Sequence, residues 1–323
     1  MHEPATITVV KPGWLTTVQD LGRSGYQQYG MPVSGAMDRR SLNISNRLVG
    51  NRDHEAALEI TFKGPELLFE QDAVIALTGA DLNPSVNGTA MPLWASLLVR
   101  AGSRLMFSTR RAGGRCYLAV AGGIDVPVVL GSRATHLSSQ TGGMNGRALT
   151  AGDRLTSGIP IGHRHSIIGR TLPEQLRPAY MDHATLRILP GPQQESFVPE
   201  ALDLLTRLSY RLTSESDRMG YRLKGAKIPQ AGSGQHISDG TAMGALQVPP
   251  DGQPILLMAD RQTTGGYPKC AVVISADLHL AGQLLPGDTI HFQTTTLQEA
   301  QAATKAQWND LQQVLPPFHS TAS

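Results

Sequence analysis

Cysteine is almost absent from this chain: Cys116 and Cys270 are the only two among 323 residues. Without CxxC spacing they give no basis for a disulfide framework or a zinc ribbon, and a reducing, cytoplasmic location is the expectation. Aromatic residues are scarce at 5 %, and the formal net charge is only +2. The basic residues are scattered, so a nucleic-acid partner, whose phosphates demand a concentrated Lys/Arg face, is set aside. No stretch approaches the roughly 18 apolar residues of a membrane span, and the opening MHEPATITVV lacks the basic and apolar regions of a leader. A soluble, unexported protein with no membrane partner is expected.

Several catalytic signatures are missing as well. There is no G-x-x-x-x-G-K-[ST] run and no G-x-G-x-x-G opening a helix, so a bound nucleotide would sit outside the P-loop and Rossmann designs. HExxH is absent, and Ser233 lies in AGSGQH rather than G-x-S-x-G, which indicates neither a zincin nor an α/β-hydrolase. His163, His165 and His183 read as surface residues around a linker, and no metal ligands are assigned. Cys270 follows Lys269 but has apolar residues on its other side, the setting of a buried structural thiol.

What is abundant is turn chemistry. With 34 glycines and 21 prolines beside 40 % hydrophobic residues, the composition favours many short elements over long helices and fits a mainly β chain. A strand is expected at Ile7–Val10, and apolar pieces recur as ALEITF, ELLF, AVIALTGA, SLLV, RLMF and RCYLAVAGG, the spacing of a barrel or sandwich. From Asp38 to Val49 the apolar positions share a helical face, with Gly50 placed to end it. The region 157–181 has no periodicity and reads as a linker. It separates an N-terminal β subdomain (1–170) from a C-terminal β subdomain (180–295) that carries LRILPG as a strand and a short helix from Pro199. A C-terminal helix and tail follow (296–323), Thr296 and Glu299 forming a capping box and Pro316-Pro317 a stop. RAGSRLMF, LTAGDRL and LLPGDTIHF each place a glycine turn before a strand; they fit either a duplicated β half or turns common to any β protein.

Two segments concentrate reactive groups. The stretch QVPPDGQPILLMADRQTTGGYPKCAVVISAD from Gln247 holds polar residues between two apolar runs suited to buried strands, so its loop is anchored at both ends, the usual way a site is built. Gln247, Asp260, Gln262, Thr263, Thr264, Gly265, Gly266, Tyr267 and Lys269 are its candidates. In SESDRMGYRLKG, Asp217, Arg218, Tyr221, Arg222 and Lys224 crowd a glycine. Arginine there can grip a carboxylate or phosphate bidentately, or the segment is a solvated hairpin with a local Asp–Arg pair. QDLGRSGY, with Arg23, repeats the recipe, and TGAD and AGGID follow apolar strands.

Taken together, TTVQDLGRSGY, the G-x-x-D of Gly35–Asp38, ALEIT, LTGAD, YLAVAGGIDVP, LPGP, SDRMGYRL, QVPPDGQPI and DRQTTGGYP resemble the biotin-dependent carboxyltransferase, or allophanate hydrolase subunit 2, family. That family includes the C component of prokaryotic 5-oxoprolinase and KipA. The resemblance implies a cyclophilin-like β-barrel architecture and a heteromer with a KipI-like B component. Its 5-oxoprolinase reading implies ATP-dependent opening of the 5-oxoproline lactam to L-glutamate with a further A component, ATP being a co-substrate with Mg2+. On that reading Arg218 and Lys269 contact phosphate or the substrate carboxylate, Asp217 or Asp260 holds an arginine or the magnesium ion, Gln247, Gln262 and Thr264 supply hydrogen bonds, and Tyr221 or Tyr267 stacks or donates. Two rivals stay open. One is a urea-type carboxyltransferase, receiving biotin from another protein because no A-M-K-M motif occurs here. The other is a KipA-like antagonist of a sensor-kinase inhibitor, a binding module without turnover.

Overall fold

The computed structural model describes residues 4–160, 164–231 and 237–316. His163, Ser233 and Pro317 therefore lie outside the described residues, and so do the side chains of residues 164 and 165. The chain forms two compact units: the described residues of Met1–Arg23, Ser34–Tyr180 and Asn309–Ser323, and those of Ser24–Val33 and Met181–Trp308.

The first unit contains two antiparallel sheets. Six strands run in the order Arg154–Thr156, Thr6–Lys11, Glu66–Phe69, Arg104–Phe107, Pro84–Val86, Thr89–Ala90, and five in the order Leu15–Gln19, Ala57–Thr61, Ala112–Val120, Ala73–Asp81, Ser96–Val99. Alternation sends Ile7, Val9, Leu67 and Phe69 from one sheet and Leu58, Ile60, Ile75, Leu77 and Leu118 from the other into a single apolar core. Each such side chain contributes about 1.5–3 kcal/mol. The helix Arg39–Leu48 starts where expected because Asp38 caps it, accepting the Ser41 N–H at 2.8 Å. The chain leaves it through Gly50, whose φ of 74° suits a residue without Cβ.

The described residues of the linker region, 157–160 and 164–180, are tied to the first unit. Ser157 N–H donates to Ala5 O (2.8 Å), Ser96 N–H to Arg170 O (2.9 Å) and Leu172 N–H to Trp94 O (2.9 Å). The segment is irregular but held, through these peptide groups and through isolated side chains such as buried Ile167, Leu172 and Tyr180, and it belongs to the first unit.

The second unit is built on a closed seven-strand barrel in the order His183–Pro190, Lys269–Val273, Ala245–Gln247, Ile255–Leu257, Gly220–Lys224, Tyr210–Leu212, Thr289–Thr294. The last strand returns parallel to the first. Tyr210, Leu212, Tyr221, Leu223, Leu246, Leu256, Ile290 and Phe292 are buried and fill it, with the Tyr210 and Phe292 rings 5.9 Å apart. The C-terminal helix, Leu297–Val314, has the expected capping box: Glu299 N–H donates to Thr296 Oγ1 (3.2 Å) and Thr296 N–H to Glu299 Oε2 (2.9 Å). The glycine turns of the three echoed segments are real as well, Gly102, Gly152 and Gly287 all having φ between 78° and 99°. The expected mainly β architecture, with a barrel and few helices, is the architecture found.

Candidate functional site

Strand alternation decides which residues of the second unit reach a ligand. Gly220 pairs with Leu257, Arg222 with Ile255, and Gln247 with Ile255. Side chains on a strand alternate between faces, so with Tyr221, Leu223, Leu246 and Leu256 turned to the barrel interior, the residues between them face outward. Over that outer face lies a pocket of about 330 Å³, lined by Glu215, Asp217, Met219, Gly220, Arg222, Gln247, Pro249, Asp251, Ile255, Leu257, Gln262 and Tyr267.

Its polar floor is a pair of amides. Gln262 Nε2 donates to Gln247 Oε1 at 3.1 Å, and Gln247 Nε2 donates to Tyr267 O at 3.3 Å. Gln247 is buried and Gln262 half-buried. The loop that carries Gln262 is pinned by Thr241, whose N–H donates to Thr263 O (3.0 Å) and whose hydroxyl donates to Gln262 O. It is pinned again by the short pairing of Asp239–Gly240 with Thr264–Gly265. Gly265 is required for close approach: a Cβ there would fall on Gln247 Nε2 and press on Gln262 Nε2. On the rim, Arg222 stands 3.7 Å from Glu215, with both side chains more than half exposed. That separation is too long for a hydrogen bond, so the guanidinium is available to a ligand anion.

The anticipated site residues divide between pocket and scaffold. Asp217, Gln247, Gln262 and Tyr267 line the pocket. Asp217 also shapes it, accepting the Met219 and Gly220 N–H groups at 2.8 and 3.1 Å. Arg218 and Asp260 do meet, but as a buried bidentate pair, Nε to Oδ2 at 2.8 Å and Nη2 to Oδ1 at 3.0 Å, outside the pocket lining. The pair joins the Gly220–Lys224 hairpin to the loop after Ile255–Leu257. Tyr221 is buried in the barrel, its hydroxyl donating to Leu284 O at 3.4 Å. Lys269 is buried, its ammonium 3.9 Å from Asp239, and it too is outside the lining. Thr263, Thr264 and Gly266 belong to the loop that supports the amides. Arg23 belongs to the first unit, where it is buried and donates to Ala134 O.

Glu215, Pro249 and Asp251 carry no signal in the sequence that marks them as pocket residues, and Arg222 stands there only as one member of a charged cluster. Alternation could have picked Arg222 out, because in GYRLK it lies between Tyr221 and Leu223. Both thiols are buried: burial pushes Cys270 up to about 12 and Cys116 higher still, which removes them as nucleophiles.

Comparison with known proteins agrees with this architecture. The model of the carboxyltransferase domain, subdomain A and B, matches residues 29–294. The C component of the Escherichia coli K12 5-oxoprolinase is 40 % identical over 97 % of this chain and 99 % of its own length, and that of Haemophilus influenzae is 39 % identical over 88 % and 89 %. The urea amidolyase of Lachancea kluyveri is 34 % identical over 95 % of this chain but only 18 % of its own. The crystal structure of the Kluyveromyces lactis urea amidolyase superposes with a TM-score of 0.90 at 32 % identity, covering 97 % of this chain and 20 % of that one. With a match across most of its length and a relative coextensive with it, the chain belongs to the carboxyltransferase subdomain A and B family.

Proposed function

We propose that this chain is the C component of an ATP-dependent 5-oxoprolinase, acting with a B-type partner to activate the 5-oxoproline lactam for hydrolysis to L-glutamate with the A component. The observation that carries the reading is the end-to-end match to a 5-oxoprolinase C component. A urea amidolyase, by contrast, contains the likeness as one part of a far longer chain.

The pocket suits such a substrate. A lactam presents one N–H donor and one carbonyl acceptor, and the Gln247–Gln262 pair offers the complementary groups, Gln247 from the end of a barrel strand and Gln262 from the pinned loop beside it. The substrate carboxylate is the natural counter-ion of Arg222, released from its loose contact with Glu215. Holding the ring between amides and guanidinium orients its carbonyl, which is where positioning accelerates a reaction. ATP, when bound, supplies the activation that makes this poor electrophile open to water.

The amide pocket itself does not fit a triphosphate, since Glu215, Asp217 and Asp251 face a single guanidinium there. Magnesium is also unsupported by this chain's own donors. Asp260 is engaged by Arg218, Asp217 by two peptide N–H groups, and no group of three or more His, Cys, Asp or Glu is suitably gathered among the described residues.

One rival has a specific observation behind it. The close structural likeness to urea amidolyase favours an amide carboxyltransferase, and the same glutamines would then face urea. The two part on reconstitution. Mixing the chain with the A and B components of a 5-oxoprolinase should give glutamate that depends on both ATP and 5-oxoproline. Carboxylation of urea by a biotinylated donor in place of that reaction would favour the rival, and neither activity would favour a KipA-like binding module.

A further inference from the structure

Beside the amide pocket, the outer face of the barrel carries Arg211 and Lys224, two positive charges that lactam binding does not use, next to Arg222, which it does. In the pairing of Tyr210–Leu212 with Gly220–Lys224, Arg211 lies directly opposite Lys224 and Leu212 opposite Leu223. The register continues through Thr213, whose N–H donates to Arg222 O at 3.0 Å. Leu212, Tyr221 and Leu223 point into the core, so Arg211, Thr213, Arg222 and Lys224 share the solvent face. Like charges directly opposite each other weaken a sheet, and this chain does little to neutralise them. Lys224 makes no ion pair among the described residues. Among the described residues Arg211 engages a carbonyl, Gly287 O, at 3.1 Å. Acids border the patch: Glu215, 3.7 Å from Arg222, Asp251, whose carboxylate accepts the Gln253 N–H at 3.0 Å, and Asp288, whose Oδ2 accepts the Leu285 N–H at 2.8 Å.

A groove of about 390 Å³ runs over these residues, with Thr213, Ser214 and Lys224 on one side and Arg222, Glu215 and Asp251 where it borders the amide pocket. Within it Thr213 Oγ1 is buried yet has no hydrogen-bond partner. A hydroxyl without a protein partner beside an ammonium that makes no ion pair among the described residues is part of the donor set of an oxyanion site.

We propose that this groove is a subsite for a phosphate-class anion. Lys224 is its principal charge partner, Arg222 is shared with the amide pocket at its border, the Thr213 and Ser214 hydroxyls are its neutral donors, and Arg211 extends the positive field. The groove and the amide pocket share Glu215, Arg222, Pro249, Asp251 and Ile255, so a phosphoryl group held here lies next to the pocket. Its connection to lactam activation rests on the function proposed above. The anion site does not.

The test is calorimetric titration of the full chain at fixed ionic strength with inorganic phosphate, pyrophosphate, tripolyphosphate and ATP, with chloride as the control. Saturable binding of inorganic phosphate or its oligomers is expected, weakened tenfold or more in Lys224→Gln and in Thr213→Val, and unchanged in Lys305→Gln on the C-terminal helix. Ligand-free Lys224→Gln should melt no lower than the parent, since it relieves a like-charge contact, and phosphate should raise the melting temperature of the parent more than that of the variant. Absence of saturable phosphate binding, or binding undiminished in folded Lys224→Gln and Thr213→Val, would overturn the site. So would ATP binding that survives both substitutions without any tripolyphosphate binding. None of these outcomes depends on glutamate release, so the site and the lactam reading can fail separately.

Discussion

Gln262 hands an amide hydrogen to Gln247 across 3.1 Å, and Gly265 lies so close to both amides that a Cβ there would have to push them aside. The obstructing atoms are the far ends of flexible side chains, so Gly265→Ala should fold with a stability change within about 1 kcal/mol while displacing the pair. In the reconstituted enzyme the KM for 5-oxoproline should rise about tenfold, equivalent to roughly 1.4 kcal/mol of lost binding. An unchanged KM would show that the amide pair does not touch the substrate.

Arg218 and Asp260 form a buried, two-pronged ion pair, their side chains 8 % and 6 % exposed. Removing one partner strands a buried charge, so Arg218→Ala and Asp260→Ala should each cost about 3–5 kcal/mol. The double variant should cost clearly less than the sum, as measured by urea denaturation. If both single variants keep full rate and parental stability, this pair neither holds the loop nor serves the chemistry.

The first unit hides a second polar knot. Asp38 accepts Ser41 N–H (2.8 Å), Ser41 Oγ (2.7 Å) and the Tyr180 hydroxyl (2.8 Å), while Tyr117 donates to Glu59 (2.7 Å) and accepts the Asp38 N–H (2.8 Å). Asp38→Ala removes a helix cap and leaves buried donors unpaired, a loss of about 2 kcal/mol or more, whereas Thr296→Ala at the solvent-facing cap should lose about 1 kcal/mol. Equal losses in urea titrations of the two variants would contradict the ranking.

Alkaline pH should destabilise the fold. Burial raises the pKa of Tyr117 and Tyr180 well above 10.0, that of Cys270 to about 12 and that of Cys116 further. In the unfolded chain these groups give up protons near their ordinary values, 9.0 for the thiols and 10.0 for the phenols, while the folded protein retains them. The stability they provide is therefore complete below about pH 9 and is lost as pH rises toward the folded values. Unfolding free energies at pH 8, 9.5 and 10.5 should fall in that order, and native protein should resist thiol labelling. A flat or rising series would contradict the burial of these groups.

How much of this is legible in the sequence depends on the range of the interactions involved. The helix after Asp38, the Thr296–Glu299 box and the glycine turns are set by residues three or four apart, and they stand where the sequence puts them. Arg218 shows the opposite case. Its neighbour Asp217 is the obvious partner on paper, but Asp217 turns back onto its own loop and the guanidinium finds Asp260, 42 residues away. Composition groups Lys269 and Tyr221 with the ligand-facing residues, but barrel packing buries both. Arg222, one residue beyond Tyr221, faces outward for the same reason. The segment 157–180 looks like a linker because many of its contacts are made by peptide groups and the side chains it buries, such as Ile167, Leu172 and Tyr180, are irregularly spaced and leave no periodic pattern.

Whether the outer-face amide pocket receives the lactam decides the functional reading. The most direct measurement is the KM for 5-oxoproline of the reconstituted complex carrying Gln247→Leu, with Lys305→Gln on the C-terminal helix measured alongside. A rise of tenfold or more is predicted for Gln247→Leu and none for Lys305→Gln. A folded Gln247→Leu complex with the parent's KM would contradict it.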